Sequence, residues 1–349
     1  MYSPNFSITN KLLKSIGTVE AAREVIINAP MLPVYEKKFR EEAIVRTVHH
    51  GTHMEGNELN YTEASQVLKR QPVVGRDRDI QEIMNYRNVL NFLEYVGKGE
   101  ISGRKITEAV IRKIHTLTVE KLLAIEQCGS YRKTQVVVKN SLTGEITFRP
   151  PPAIEVPYQI EDFLLWLNNM GKEEMHSVIK AAITHYELVR IHPFVDGNGR
   201  MARATATLVL FLDDYDIKKF FSLEEYYDRD ASRYYNALKS ASDGVLTSWI
   251  EYFTEGLSIE LTRIKEKVLR LSTDLHLKEK LGGKQVFLSD RQIAVMEYIQ
   301  RTGYLSNQGF KDLFPGISED TILREIHDLM KKGIVKKEGK TKAARYMLR

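Results

Sequence analysis

One short segment concentrates side chains that could act on a phosphorylated substrate. It runs from residue 191 to 203 and reads Ile-His-Pro-Phe-Val-Asp-Gly-Asn-Gly-Arg-Met-Ala-Arg. His192 could take a proton from an incoming hydroxyl, because imidazole titrates near neutral pH. Asp196 would repel phosphate unless a divalent cation lay between them, and one carboxylate plus phosphate oxygens is a usual way to hold Mg²⁺. These residues indicate proton transfer beside a metal-bound phosphate.

The second half of the segment predicts an anion cradle. Gly197 and Gly199 lack Cβ atoms, so backbone N–H groups can approach a ligand closely. A helix that begins here contributes about half a positive charge at its N-terminus. Arg200 and Arg203, three residues apart, add two full charges on one side. A polyphosphate matches this charge better than a single carboxylate does.

The segment lies between two apolar stretches. Residues 177–189 carry apolar side chains at helical spacing without a wide polar face, and residues 202–212 are rich in alanine and nearly uncharged. Both patterns indicate buried helices, so we expect a loop at the mouth of a helical bundle. Taken singly, a His-Pro or a Gly-Asn-Gly is usually an ordinary turn.

The combination is more specific. The order His-Pro-Phe-x-Asp-Gly-Asn-Gly-Arg-x-x-Arg resembles, without a mismatch, the signature loop of the Fic family of nucleotidyl transferases. The resemblance implies transfer of AMP from ATP to a Ser, Thr or Tyr hydroxyl of a protein, the chain itself included. It implies His192 as general base, Asp196 as the ligand of Mg²⁺, and Arg203 on the γ-phosphate. The expected anion cradle is formed by Gly197, Asn198, Gly199 and Arg200.

A second segment, Glu55-Gly56-Asn57, resembles the second half of the inhibitory motif of the same family. The family places Ser or Thr four residues before the glutamate. Here that position is Gly51, and Thr52 comes one place late. The resemblance implies a salt bridge from Glu55 to Arg203 that prevents productive binding of the γ-phosphate. A helix-end glutamate without this role is the alternative.

A single β-hairpin is predicted within the helical part. Residues 131–139 are rich in β-branched side chains, 142–144 supply a turn, and 145–149 return as a second strand. An isolated hairpin is marginal unless it packs on something. It resembles the Fic flap, which holds a target segment by strand addition; an ordinary surface hairpin is the alternative. The residues expected at the target and the nucleotide edge are Val136, Val137, Val138 and Lys139.

Two tyrosines follow in the segment Arg233-Tyr234-Tyr235-Asn236-Ala237-Leu238. It resembles the family's Tyr-Tyr-x-x-Leu segment near the adenine, so Tyr234 or Tyr235 is expected to stack there. Ser242 stands where some relatives have an adenine-contacting asparagine, which leaves that contact open.

The pattern as a whole predicts a mainly α protein with three parts. They are an N-terminal helical region with the inhibitory motif (1–105), a Fic-type helical bundle with the flap and a long helix (106–280), and a winged-helix domain (285–349). A charged, glycine-containing linker precedes the last part.

The C-terminal part predicts three helices, over 290–302, 307–313 and 318–332, followed by two strands. This order resembles a winged helix. Its last 19 residues hold eight basic side chains and one acidic one, against a net charge of +5 for the whole chain. DNA binding and docking of a protein partner are both open. The candidate phosphate contacts are Arg324, Lys331, Lys332, Lys336 and Lys337.

Composition excludes several classes of protein. No apolar run in the 349 residues reaches transmembrane length, and the first residues lack the layout of a signal peptide, so no membrane partner is expected. The single cysteine, Cys128, excludes an internal disulfide and fits a reducing cytoplasm. His49 and His53, four residues apart, are a weak zinc signal without a third ligand.

Two rival functions stay open. One is removal of AMP in the same site, with Glu55 orienting water. The other is a DNA-binding regulator whose Fic-like part only senses nucleotide. The target protein and the oligomeric state, a homodimer included, are also open.

Overall fold

The computed structural model of the chain describes residues 2–29, 31, 33–139, 146–171, 174–280, 288–306, 309–310, 313–314, 316–339 and 344–348. These residues form two compact units, Met1–Ser272 and Thr273–Arg349. The fold is mainly α, as the sequence predicts.

Helices build almost all of the first unit. Their order is α1 (Asn10–Asn28), α2 (Pro33–His53), α3 (Tyr61–Leu68), α4 (Asp77–Gly97), α5 (Glu108–Val119), α6 (Val156–Asn169), α7 (Ser177–Ile191), α8 (Asn198–Leu212), α9 (Leu223–Arg229), α10 (Ala231–Lys239) and α11 (Thr247–Lys280), whose last residues belong to the second unit.

The centre of the first unit is the pair α7 and α8. Every residue of α7 from Ser177 to Leu188 is buried, and α8 buries most of its length. Burial leaves little room for a polar face, which explains why residues 202–212 are rich in alanine and nearly uncharged. One apolar core extends from Leu12 in α1 to Val268 in α11. The predicted boundary near residue 105 crosses this core, and as a functional division it stays a prediction.

Within the described residues, the two strands of the hairpin are shorter than predicted. Strand β1 (Val138–Lys139) pairs antiparallel with β2 (Ile146–Phe148), with Val138 opposite Phe148 and an irregularity after it. The predicted turn at 142–144 lies outside the described residues. Residues 131–137, before β1, are not in a strand, and the side chains of Arg132 and Gln135 donate to the carbonyls of Pro151 and Pro150.

The second unit contains α12 (Asp290–Thr302), β3 (Leu305–Ser306), α13 (Glu319–Lys331), β4 (Val335–Glu338) and β5 (Arg345–Leu348). The strands form an antiparallel sheet in the order β3-β5-β4. The helices pack on it through a small core that includes Val295, Ile326 and Tyr346. The two-residue strand β3 is too short to give a sequence signal, and the predicted helix over 307–313 lies largely outside the described residues. The winged-helix assignment stays a prediction. Within the ranges described above, no helix is long and apolar enough to cross a membrane.

Candidate active site

The loop between α7 and α8 is closed by a side chain. Asn198 accepts a hydrogen bond from the Phe194 N–H through Oδ1 and donates one to the Phe194 carbonyl through Nδ2, both at 2.9 Å. Asn198 is 2% exposed. We predicted Asn198 as part of the anion cradle, but the structure uses its amide to close the loop. Only its backbone N–H, in the first turn of α8, can face an anion.

At Gly197 and Gly199, different neighbouring side chains leave no space for a Cβ atom. Gly197 has a φ of +75°, in the left-handed region, and a Cβ there would lie 2.8 Å from Cγ1 of Val119. Gly199 lies against the Glu55-Gly56-Asn57 segment, because a Cβ would lie 2.6 Å from Oε1 of Glu55. The second glycine therefore admits another part of the chain where we expected it to admit a ligand.

His192 ends α7 in the left-handed conformation, with φ 50° and ψ 60°. Its Nδ1 lies 3.3 Å from the Val189 carbonyl, which fits a proton on Nδ1 and a lone pair on Nε2. Burial is the largest effect and lowers the pKa of His192. The hydrogen bond to Val189 opposes it, and the charge of Arg132 lowers the pKa further, so that the pKa lies below its ordinary value. His192 is therefore neutral at pH 7 and can accept a proton.

His115, in α5, holds the loop from below and was not singled out in the sequence. Its ring stacks on Phe194 with centroids 3.7 Å apart. Its Nδ1 accepts from the Gly129 N–H, which leaves Nε2, 2.9 Å from the Asp196 carbonyl, as the donor. Burial lowers the pKa of His115 to about 4, so this tautomer is kept at neutral pH. A histidine inside an amphipathic helix gives no local sequence signal for such a role.

Arg200 lies against α4. It is 1% exposed, and its Nη1 is 3.4 Å from Oε1 of Glu82, itself 2% exposed. The other oxygen of Glu82 accepts from Nδ2 of Asn57 at 3.0 Å. Glu82 was not identified in the sequence, and it links the signature loop to the Glu-Gly-Asn segment. In this conformation no ligand reaches the side chain of Arg200.

Arg203 is paired with Glu55. Its Nη2 donates to Oε1 of Glu55 at 2.8 Å and to the Gly51 carbonyl at 2.9 Å. Burial raises the pKa of Glu55, but the charges of Arg203 and Arg200 outweigh burial and hold the pKa below its ordinary value. Glu55 is thus ionised at neutral pH, and the ion pair is lost only as the pH falls through that lowered pKa.

Packing against Tyr86 explains why glycine occupies position 51. A Cβ there would lie 2.5 Å from Cε1 of Tyr86, so a serine or threonine does not fit without movement of that ring. Thr52 is no substitute, because its hydroxyl bonds back to the Val48 carbonyl inside α2. In this chain the backbone carbonyl of Gly51 helps to hold Arg203.

Asp196 is the candidate metal ligand. Oδ1 accepts from the Gly197 N–H at 2.6 Å, and Oδ2 is 3.8 Å from Nη2 of Arg78. The side chain is 43% exposed. A single accessible carboxylate suits Mg²⁺ when phosphate oxygens and water complete the shell. Among the residues that the structure describes, no group of three or more His, Cys, Asp or Glu could hold a metal by itself.

The two tyrosines predicted near the adenine are in different environments. Tyr234 is 1% exposed, and its hydroxyl lies 3.0 Å from Nε2 of His185. It belongs to the core and cannot stack on a ligand. Tyr235 is 51% exposed; burial raises its pKa, and so does the nearby charge of Glu55. Of the two tyrosines, only Tyr235 has an accessible ring, and its contact with adenine stays a prediction.

The predicted flap residues are only partly described. Val136 and Val137 are half-buried in the segment before β1. Val138 and Lys139 form β1, and of their side chains nothing is described. Their expected contacts with target and nucleotide stay predictions.

The histidines of α2 bind an aspartate. His50 and His53 each place Nδ1 within hydrogen-bond distance of Asp228 in α9, at 2.7 and 2.8 Å. His49 stacks beside His53 but makes no such bond. The pair that we considered for zinc, His49 and His53, is thus divided between two environments.

The part of the chain that contains this loop matches a known protein family. Residues 105–210 match the Fic/DOC family. The chain contains a Fic domain. Protein adenylyltransferase Fic of Drosophila grimshawi is 27% identical over 225 residues, which are 63% of this chain and 42% of that protein. The protein of the same name in Drosophila melanogaster is 26% identical with the same coverage. The chain therefore spans less than half the length of these relatives.

Two solved structures share the fold. A Fic family protein from Desulfovibrio desulfuricans G20 is 24% identical with a TM-score of 0.66, covering 100% of this chain and 98% of that one. Fic-1 of C. elegans is 24% identical with a TM-score of 0.62, covering 75% of this chain and 73% of that one.

The loop closure gives a stability prediction. Asn198→Ala leaves the buried N–H and C=O of Phe194 without their partner, which should lower the free energy of unfolding by about 1–3 kcal/mol. Urea unfolding, followed by fluorescence of Trp166 and Trp249, measures the change. The exposed Asn91→Ala in α4 is the matched control. Equal stability of the two variants would contradict the role of Asn198.

Proposed function

We propose that this chain is a protein adenylyltransferase that moves AMP from ATP to a hydroxyl side chain of a protein. The observation that supports it best is the position of His192, neutral and half-buried, on the loop that leads into the N-terminus of α8. The relatives named protein adenylyltransferase Fic support the same activity.

The reaction needs a base on one side and positive charge on the other. The target hydroxyl loses its proton to Nε2 of His192 as its oxygen attacks the α-phosphorus. The bond from that phosphorus to the bridging oxygen breaks, and pyrophosphate leaves. Backbone N–H groups in the first turn of α8 and the guanidinium of Arg203 stabilise the negative charge. Tyr235 is the exposed ring available to the adenine.

Mg²⁺ fits at Asp196, whose accessible carboxylate would hold it. When bound, the ion would neutralise phosphate charge. Arg78, with Nη2 3.8 Å from the carboxylate, lies where that ion would approach. Because its side chain is 64% exposed, Arg78 can turn into solvent.

Autoinhibition by Glu55 is part of the proposal. In this conformation the carboxylate takes the guanidinium that the γ-phosphate needs and adds its own repulsion. Since Glu55 is ionised at neutral pH, inhibition should not change between about pH 6 and 8.

Label from ATP tests the activity directly. Glu55→Gly removes the carboxylate from Arg203, so self-labelling from α-labelled ATP should rise at least about tenfold over wild type. Label from γ-labelled ATP should stay off the protein, because the β- and γ-phosphates leave together. Addition of His192→Ala to this variant should abolish labelling.

Loss of label from a modified protein distinguishes removal of AMP from the proposed transfer of AMP. Labelled target protein is incubated with wild type and with Glu55→Gly, without ATP. AMP removal that needs Glu55 would strip the label in wild type alone, whereas the proposed transfer leaves both samples labelled.

The contact of α2 with Asp228 gives a second prediction. His50 and His53 lie in the last turn of α2, just before Glu55. The carboxylate of Asp228, which is 9% exposed, lies within hydrogen-bond distance of Nδ1 of both histidines. Asp228→Asn weakens this anchor, so self-labelling should rise to a level between wild type and Glu55→Gly. The exposed Asp320→Asn in the second unit is the control. Wild-type labelling in Asp228→Asn would show that the anchor does not restrain Glu55.

Partners of the second unit stay predictions. Arg324 and Lys331 are exposed on α13, whereas Lys332 pairs with Asp328 and Lys336 with Glu338. This mixed surface favours neither DNA nor a protein partner, and the homodimer is likewise open.

A further inference from the structure

Arg132 is a buried cation beside the candidate site. It precedes the hairpin and is 2% exposed. Among the described residues, no Asp or Glu lies within ion-pair distance of its guanidinium. Burial lowers the pKa of Arg132, yet a guanidinium stays protonated in proteins. A buried charge without a counterion is costly, so the position calls for an explanation.

The guanidinium bonds instead to backbone carbonyls from both sides of the site. Nε donates to the His192 carbonyl at 2.8 Å, Nη1 to Thr134 at 3.3 Å, and Nη2 to Pro151. The N–H of Arg132 donates to the Pro193 carbonyl at 2.9 Å. One residue thus joins the two ends of the hairpin to the peptide groups of His192 and Pro193.

The contact falls at the strained residue of the loop. A left-handed conformation is unfavourable for a residue other than glycine and persists only where its surroundings hold it. His192 has that conformation, and its carbonyl accepts the hydrogen bond from Nε of Arg132. Loss of this bond would let the peptide turn and move the imidazole.

We propose that Arg132 is a positioning residue that fixes the His192 imidazole and couples it to the hairpin. This inference rests on the proposed function, in which His192 is the base for AMP transfer. The signature motif does not contain Arg132, and neither does the inhibitory segment.

The charge of Arg132 has a second effect. The charged groups that face His192 are Arg132 before the hairpin, Glu55 after α2, and Asp196 in the loop. The two carboxylates favour the imidazolium, whereas Arg132 opposes it. Removing the positive charge should therefore raise the pKa of His192 and restrict base catalysis to higher pH.

The test uses the full chain with Glu55→Gly. Arg132→Met should lower the rate of AMP transfer roughly 10- to 100-fold, leave ATP affinity within about twofold, and move the acidic limb of the pH profile upward. Arg132→Lys keeps the charge but cannot reach three carbonyls, so the rate should fall while the pH limb stays in place. Arg112→Met is the matched control, because Arg112 stacks on neighbouring Tyr131 but bonds to Glu108 and Gly129 rather than to the loop.

The outcomes separate the two proposals. If Glu55→Gly transfers no AMP, the proposed function fails. The inference is then judged by NMR titration of His192, assigned with His192→Gln, which should show a higher pKa in Arg132→Met. If Arg132→Met does not fold, Arg132→Lys is the deciding variant. A lower rate of AMP transfer with an unchanged acidic limb of the pH profile supports the positioning role. Rates and titrations of both Arg132 variants equal to those of Arg112→Met would overturn the positioning role.

Discussion

The reciprocal hydrogen bonds between the Asn198 amide and the Phe194 backbone fix the shape on which the rest of the site depends. They set the point at which α8 begins, and therefore which side chains its first turns carry. They also hold Phe194, whose ring lies against His115, and His115 in turn bonds to the Asp196 carbonyl. Contacts with its own backbone and with α5 thus determine the shape of the loop, residues 192–197.

The two arginines of α8 have partners of different accessibility. Glu82, opposite Arg200, is 2% exposed and is held by Asn57, whereas the Glu55 side chain opposite Arg203 is 26% exposed. A phosphate competes more easily with an accessible carboxylate than with one enclosed by the fold. Arg203 is therefore the arginine whose partner can be exchanged, and Arg200 keeps the loop attached to α4.

Sequence reasoning located the site better than it assigned its side chains. The helices on either side of the loop were predictable, because their apolar periodicity reports burial directly. The Glu55–Arg203 contact followed from a resemblance. The roles of Asn198, Arg200 and Tyr234 were not predictable, since their environments depend on packing between helices distant in sequence. His115, Glu82 and Arg132 stand outside any local motif, so only the fold brings them to the loop.

Three histidines of the first unit show that hydrogen-bond partners, and not a lowered pKa, identify the histidine that can act as a base. Burial lowers the pKa of His115, His185 and His192 alike. His115 uses both ring nitrogens on the backbone, and His185 is enclosed with Nε2 bonded to Tyr234. Within the described residues, His192 engages only Nδ1, and it is the one of the three that is partly exposed. All three are neutral at pH 7, so a low pKa cannot distinguish them. What distinguishes His192 is a lone pair on Nε2 that no described residue engages. The partial exposure of this ring depends on the left-handed backbone at the end of α7.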